Sequence, residues 1–75
     1  MDIKKIYGKI QYVDSFPDYT VQVVNSFADL NVKEVSSFAN SAGEWKIVNS
    51  MADFKIKKVN SSADFKIKYV SSFPG

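Results

Sequence analysis

The chain repeats itself every eleven residues. Cut after each turn signal, residues 8–75 read GKIQYVDSFPD, YTVQVVNSFAD, LNVKEVSSFAN, SAGEWKIVNSMAD, FKIKKVNSSAD and FKIKYVSSFPG. One column holds Val13, Val24, Val35, Val48, Val59 and Val70, and two residues later stand Ser15, Ser26, Ser37, Ser50, Ser61 and Ser72. Then come Pro17, Ala28, Ala39, Ala52, Ala63 and Pro74, followed by Asp18, Asp29, Asn40, Asp53, Asp64 and Gly75. The spacing departs from eleven once, with a step of thirteen from Val35 to Val48. A unit this short has no core of its own, so the copies must pack against one another in a regular array.

The period within each copy is that of a strand. Val59, Ser61, Ala63, Phe65 and Ile67 alternate with Asn60, Ser62, Asp64 and Lys66, and Val24, Ser26, Ala28, Leu30 and Val32 repeat the pattern. Alternation with Val, Ile, Phe and Tyr enrichment signals half-buried β-strands, not helices. On this reading the six Val positions face inward. A bend falls where parity breaks, at Lys57-Lys58 and Lys68-Tyr69. The small Ser and Ala residues suit a tight corner, and the Asp column suits turns.

The expected fold is all-β: a small β-solenoid of six eleven-residue repeats with two repeats per coil, the alternatives being an antiparallel meander or a small barrel. Residues 1–75 make one domain, with repeats from residue 8 and an insertion at 41–45. Stacking alternate copies would lay Lys66 over Glu44 and Lys55 over Asn31, whereas stacking consecutive copies would oppose Lys66 to Lys55. Opposed like charges destabilise a sheet, which favours the first arrangement. Pro17 and Pro74 occupy the Ala column in the first and last copies, as expected of residues that blunt exposed sheet edges. The insertion ending at Trp45 is the one interruption, and so the loop expected to carry specificity.

Composition narrows the function. The chain has no Cys and no His, and all ten of its basic residues are Lys. It therefore has no thiol or imidazole for nucleophilic chemistry, for general-base chemistry near neutral pH, or for the usual zinc sites. No Gly-rich phosphate loop or metal motif is present, so no enzyme and no cofactor is expected. An Asp column could suggest a calcium ladder, but Lys55 and Lys66 follow Asp53 and Asp64 on the same face, which favours turn formation with local neutralisation. With 45% apolar residues and 15% aromatics the chain is too hydrophobic for a disordered tail. No apolar run reaches the length of a membrane span. The N-terminus lacks the pattern of a secretory signal, which makes the cytoplasm the expected location.

The copies at 50–56 and 61–70, Ser-Met-Ala-Asp-Phe-Lys-Ile and Ser-Ser-Ala-Asp-Phe-Lys-Ile-Lys-Tyr-Val, resemble an uncharacterised family of small bacterial proteins. Its members repeat a Ser-x-Ala-Asp-x-Lys-Ile-x-x-Val unit and interrupt it with a Gly-containing insert leading to Trp, where Ala39–Trp45 falls here. The match is one of pattern, since the family's frequent Gln between Ser and Ala is Phe, Met or Ser in this chain. The resemblance implies no activity and no site. A weaker likeness to pentapeptide-repeat proteins, through Ala28-Asp29-Leu30 and Ala63-Asp64-Phe65, fails on period, because eleven is not a multiple of five.

Two surfaces remain as candidates. Phe16, Phe27, Phe38 and Phe73, with Met51 in the same column, lie on the opposite parity from the inward set. They form a second apolar layer, fold back over a corner, or expose a contact stripe for a protein partner or for self-association. The second surface is basic: residues 46–75 carry six Lys against Asp53 and Asp64. Lys55, Lys57, Lys66 and Lys68 point outward there, and with Trp45 and Tyr69 for base stacking they make a candidate face for nucleic acid or another anionic polymer. The first choice is a non-enzymatic module for protein binding or self-assembly. The lysine-mediated binder is the alternative.

Overall fold

The computed structural model describes residues 2–75 and contains one short 3-10 turn (Ile3–Lys5) and six strands among them. These are β1 (Gly8–Tyr12), β2 (Tyr19–Val23), β3 (Leu30–Glu34), β4 (Glu44–Ile47), β5 (Phe54–Lys58) and β6 (Phe65–Tyr69). Each strand is the apolar-alternating segment of one copy. All six pair in parallel and close a barrel in the order β1-β4-β3-β6-β2-β5. The all-β repeat fold is as expected, in the form of the small barrel.

Strands of the first three copies alternate round the ring with strands of the last three. No copy therefore pairs with the next but one, and Lys66 lies beside Gln22, and Lys55 beside Gln11, in place of the Glu44 and Asn31 that alternate stacking would give. The thirteen-residue step explains the interleaving. Regular turns carry the chain from β1 to β2 and from β2 to β3 past an intervening strand, whereas β3 and β4 are direct neighbours. The longer step at 41–45 thus shifts the second set of strands into the gaps left by the first.

Parallel strands ordinarily need a crossover of a dozen or more residues. Here the connection from β1 to β2 has only the six residues 13–18. The stagger makes this feasible. Followed once round the barrel, the pairings Tyr12↔Ile56, Tyr19↔Ile56, Val21↔Phe65, Leu30↔Ile67, Lys33↔Glu44 and Gly8↔Trp45 return to β1 displaced by twelve residues. An eight-stranded barrel displaced by eight tilts its strands about 36°. Twice that displacement per strand requires a steeper tilt, so the strands run largely round the axis and a short turn can step over one neighbour.

The turns grip the strands that they cross. On either side of β5, Val13 N–H donates to the Ile56 carbonyl at 2.9 Å and Asp18 N–H to the Lys55 carbonyl at 2.7 Å. The same pair of bonds recurs from Val24 and Asp29 on β6, from Val48 and Asp53 on β1, from Val59 and Asp64 on β2, and from Val70 and Gly75 on β3. Four Asp carboxylates add a third bond: Asp18 accepts from Lys55 N–H, Asp29 from Lys66 N–H, Asp53 from Lys9 N–H and Asp64 from Thr20 N–H, at 2.8–3.0 Å. These carboxylates thus serve the backbone of a strand distant in sequence, not the local turn expected of them.

Inside, Ile10, Val21, Val32, Trp45, Ile56 and Ile67 form a central ring, every member fully buried. Leu30 and Phe65 are buried beside it, and Ile6 joins the same cluster from the N-terminal segment. Gly43 adopts φ +80°, and a Cβ there would run into the Asn31 carbonyl and the Gly75 amide, so only glycine fits the closing contact between Asn31 and Gly75. Two expectations are corrected. The six Val side chains are half-buried and the six Ser exposed, because the turn begins at Val and the alternation does not run through it. The prolines blunt no sheet edge, because a closed barrel has none.

Candidate functional site

The turns carry an unusual residue at an unusual conformation. Phe16, Phe27, Phe38, Met51, Ser62 and Phe73 all have positive φ, between 31° and 57°. Side chains with a Cβ pay about 1–2 kcal/mol there, and Gly or Asn is the ordinary occupant. Four of these positions hold Phe and one Met, each between 86% and 95% exposed. Neither packing nor backbone geometry asks for an aromatic ring at such a point. Of the three outcomes open to this column, the structure selects exposure.

Each turn straddles a different strand, so the tips spread round the barrel. Taken in barrel order they run Met51, Phe38, Phe73, Phe27, Ser62 and Phe16. The apolar tips thus occupy a circumferential series with one polar position, at Ser62. The molecule is flattened, with extents of 30 × 28 × 20 Å.

Lys55 and Lys57 lie on β5 and Lys66 and Lys68 on β6, with β2 between them. Their cross-strand partners are Gln11, Thr20, Gln22 and Asn31, all uncharged, so one side of the barrel carries four lysines on alternate strands. Trp45 stands apart from this face: it is fully buried and its indole N–H donates to the Ile6 carbonyl at 2.9 Å. A ring so placed has no free face for a base.

Tyr69 belongs to a third feature. The last residues of the six strands are Tyr12, Val23, Glu34, Ile47, Lys58 and Tyr69, each two positions beyond the central ring and on its parity. They encircle one mouth of the barrel. The Tyr12 and Tyr69 hydroxyls are 2.7 Å apart, the Tyr12 hydroxyl donates to Glu34 Oε2 at 3.1 Å, and Lys58 Nζ sits 4.4 Å from the centre of the Tyr12 ring. Burial pushes the Tyr12 hydroxyl far above the usual tyrosine range, with the hydrogen bond to Tyr69 and the Glu34 charge acting in the same direction. Burial also raises that of Tyr69. Phenols held this firmly in the neutral form are donors and not nucleophiles. Of this cluster, sequence reasoning singles out Tyr69 alone, although Tyr12, Glu34 and Lys58 share its repeat column.

Among the described residues no three His, Cys, Asp or Glu side chains gather to hold a metal ion, and no helix is long and apolar enough to cross a membrane.

A closed parallel barrel in which every strand but β4 passes between the two arms of a turn from the other half of the chain defines a small interlocked β-repeat protein. The chain belongs to the 7(1) septoil knot domain family, whose model matches residues 3–75. No curated protein matches it.

Proposed function

We propose that the domain is a non-enzymatic binding module that engages other polypeptides, including copies of itself, through the apolar side chains on its turns. The observation that carries this reading is the column Phe16, Phe27, Phe38, Met51 and Phe73, left-handed and almost fully exposed. Large aromatic side chains are the usual anchors of protein interfaces, and a rigid turn presents them with little entropy left to lose. Their circumferential spacing suits several contacts made at once, by one wrapping segment or by several copies.

The test compares the wild type with the F16S/F27S/F38S/F73S protein, whose fold circular dichroism verifies. Sedimentation across concentration and selection from a displayed random-peptide library are the measurements. Self-association or enrichment of aromatic-rich peptides by the wild type alone is the expected result. A wild type that stays monomeric and enriches no more peptide than the quadruple-Ser protein overturns the reading.

A second reading, a lysine-mediated binder of anionic polymers, is favoured by the side of the barrel where Lys55, Lys57, Lys66 and Lys68 have uncharged cross-strand partners. Such contacts would weaken steeply with salt. Titration of labelled single-stranded and duplex nucleic acid at low salt, against a protein with these four lysines changed to Ser, decides it. No binding by the wild type removes it.

A further inference from the structure

The six strand interfaces each bring one or more outward-facing pairs together, and five of them keep positive charges apart. Gln11 faces Lys55, Thr20 faces Lys57, Gln22 faces Lys66, Asn31 faces Lys68 and Glu44 faces Lys33. The sixth opposes Lys9 on β1 to Lys46 on β4. Like charges directly across a sheet are destabilising, and this pair stands at the place where the repeat is broken.

A cleft of about 380 Å³ opens there, lined by Gly8, Lys9, Ser37, Phe38, Lys46 and Asp53, with Ala39 beside them. Its volume falls in the range of small-molecule sites. Asp53 lines it too, its Oδ2 accepting the Lys9 backbone N–H at 3.0 Å, so two lysines share the cleft with one carboxylate. Ser37 adds a hydroxyl. Phe38 adds an exposed ring whose φ of 31° departs from the 54–57° of its five counterparts, so this turn is shaped differently from the rest.

We propose that this cleft is a binding site for a small aromatic anion, an aryl phosphate or aryl carboxylate. Its anionic group sits between the Lys9 and Lys46 ammonium groups and accepts from the Ser37 hydroxyl. Its ring packs on Phe38. Bound anion turns a repulsive cross-strand pair into two charge-assisted contacts. The site shares Phe38 with the polypeptide-binding reading but rests on Lys9 and Lys46, which take no part in that reading, so loss of anion binding in the lysine substitutions is distinguishable from loss of peptide binding.

The test is NMR titration of the labelled protein with phenyl phosphate, with inorganic phosphate and with neutral benzyl alcohol. Saturable shifts at Lys9, Ser37, Phe38 and Lys46 are expected with phenyl phosphate. Inorganic phosphate should bind there about 3–10-fold more weakly, the worth of one aromatic contact. Lys9→Gln or Lys46→Gln should each weaken phenyl phosphate about tenfold, as expected for loss of a charge-assisted bond. Each should also raise the melting temperature of the free protein, by relieving the repulsion. Phe38→Ser should erase the preference for phenyl phosphate and leave inorganic phosphate unchanged. Absence of saturable shifts at Lys9 and Lys46 overturns the proposal. So do shifts of equal size round Lys55 and Lys66, or unchanged affinity in both lysine substitutions.

Discussion

The central ring and the turn tips are two six-membered series built by the same repeat, and they do opposite work. Ile10, Val21, Val32, Trp45, Ile56 and Ile67 are fully buried, while Phe16, Phe27, Phe38, Met51 and Phe73 project almost wholly into solvent. The members of both recur with the period of the chain. What separates them is backbone conformation: the ring residues sit in extended strands, and the tips sit at positive φ. Regular recurrence of an apolar residue therefore marks a structural position without marking it as core.

The largest test of this contrast places one substitution in each series. Ile56→Asp buries an unpaired charge, which costs several kcal/mol, on the order of the whole stability of a domain this size, and the chain should unfold. Phe27→Asp should leave the thermal transition within about 0.5 kcal/mol of the wild type. Circular dichroism melts of the two proteins compare them directly. Equal damage from both would break the distinction.

A smaller effect is expected at the clamp between the series. The Asp64 N–H donates to the Thr20 carbonyl and is shared with Thr20 Oγ1, while Asp64 Oδ2 accepts the Thr20 N–H. Asp64→Ala removes the carboxylate bond, and should cost about 1–2 kcal/mol in denaturant titration. Hydrogen exchange should quicken at Thr20 more than at Asn31, where Gly75 makes the equivalent contact without a side-chain carboxylate.

Phe27→Gly sharpens the comparison from the other side. Glycine relieves the left-handed strain of about 1–2 kcal/mol but adds freedom to the unfolded chain, so the net gain should be about 0.5–1 kcal/mol. A tip residue that stabilises the fold when removed is kept for something other than folding. Loss of stability on this substitution would mean that the ring does pack.

The smallest effect lies at the barrel mouth, between the two series in exposure. Tyr12 and Tyr69 have raised pKa values in the folded state, so the fold holds their protons more tightly than the unfolded chain does. Their contribution is complete below the ordinary tyrosine value of 10.0 and declines as pH climbs past it. Tyr12→Phe should flatten the alkaline decline in denaturant titrations above that pH. A decline unchanged by the substitution would assign it to other groups.

Much of this architecture is legible in the residues. The repeat gives the strand count, the alternation gives the β character, and the inward placement of Leu30 and Val32, and of Phe65 and Ile67, follows from parity alone. The error at Val59 and Ser61 has one physical source. Parity counting assumes extended backbone throughout, and the turn that holds Ser62 at positive φ separates Val59 and Ser61 from the alternation of the strand that follows. The order of strands is hidden for a different reason: it depends on turns that step over a neighbour, which no local pattern records. The mouth cluster is within reach of sequence, since Tyr12, Glu34, Lys58 and Tyr69 share one column. Trp45 is misread because an indole beside an insertion looks like a loop residue, whereas it stands in the repeat column of Ile10, Val21, Val32, Ile56 and Ile67 and is buried with them.

Interleaving also governs how the chain can acquire its shape during synthesis. β1, β2 and β3 never touch one another in the sheet; each finds both of its partners among β4, β5 and β6. A ribosome that has released only the first three copies has released three strands with nothing to pair with, and pairing begins when β4 emerges as the neighbour of both β1 and β3. Closure of the barrel waits for β5 and β6. Until then its apolar strands stand open to whatever meets the nascent chain first, and a finished second copy caught before closure offers the same three partners as the missing half.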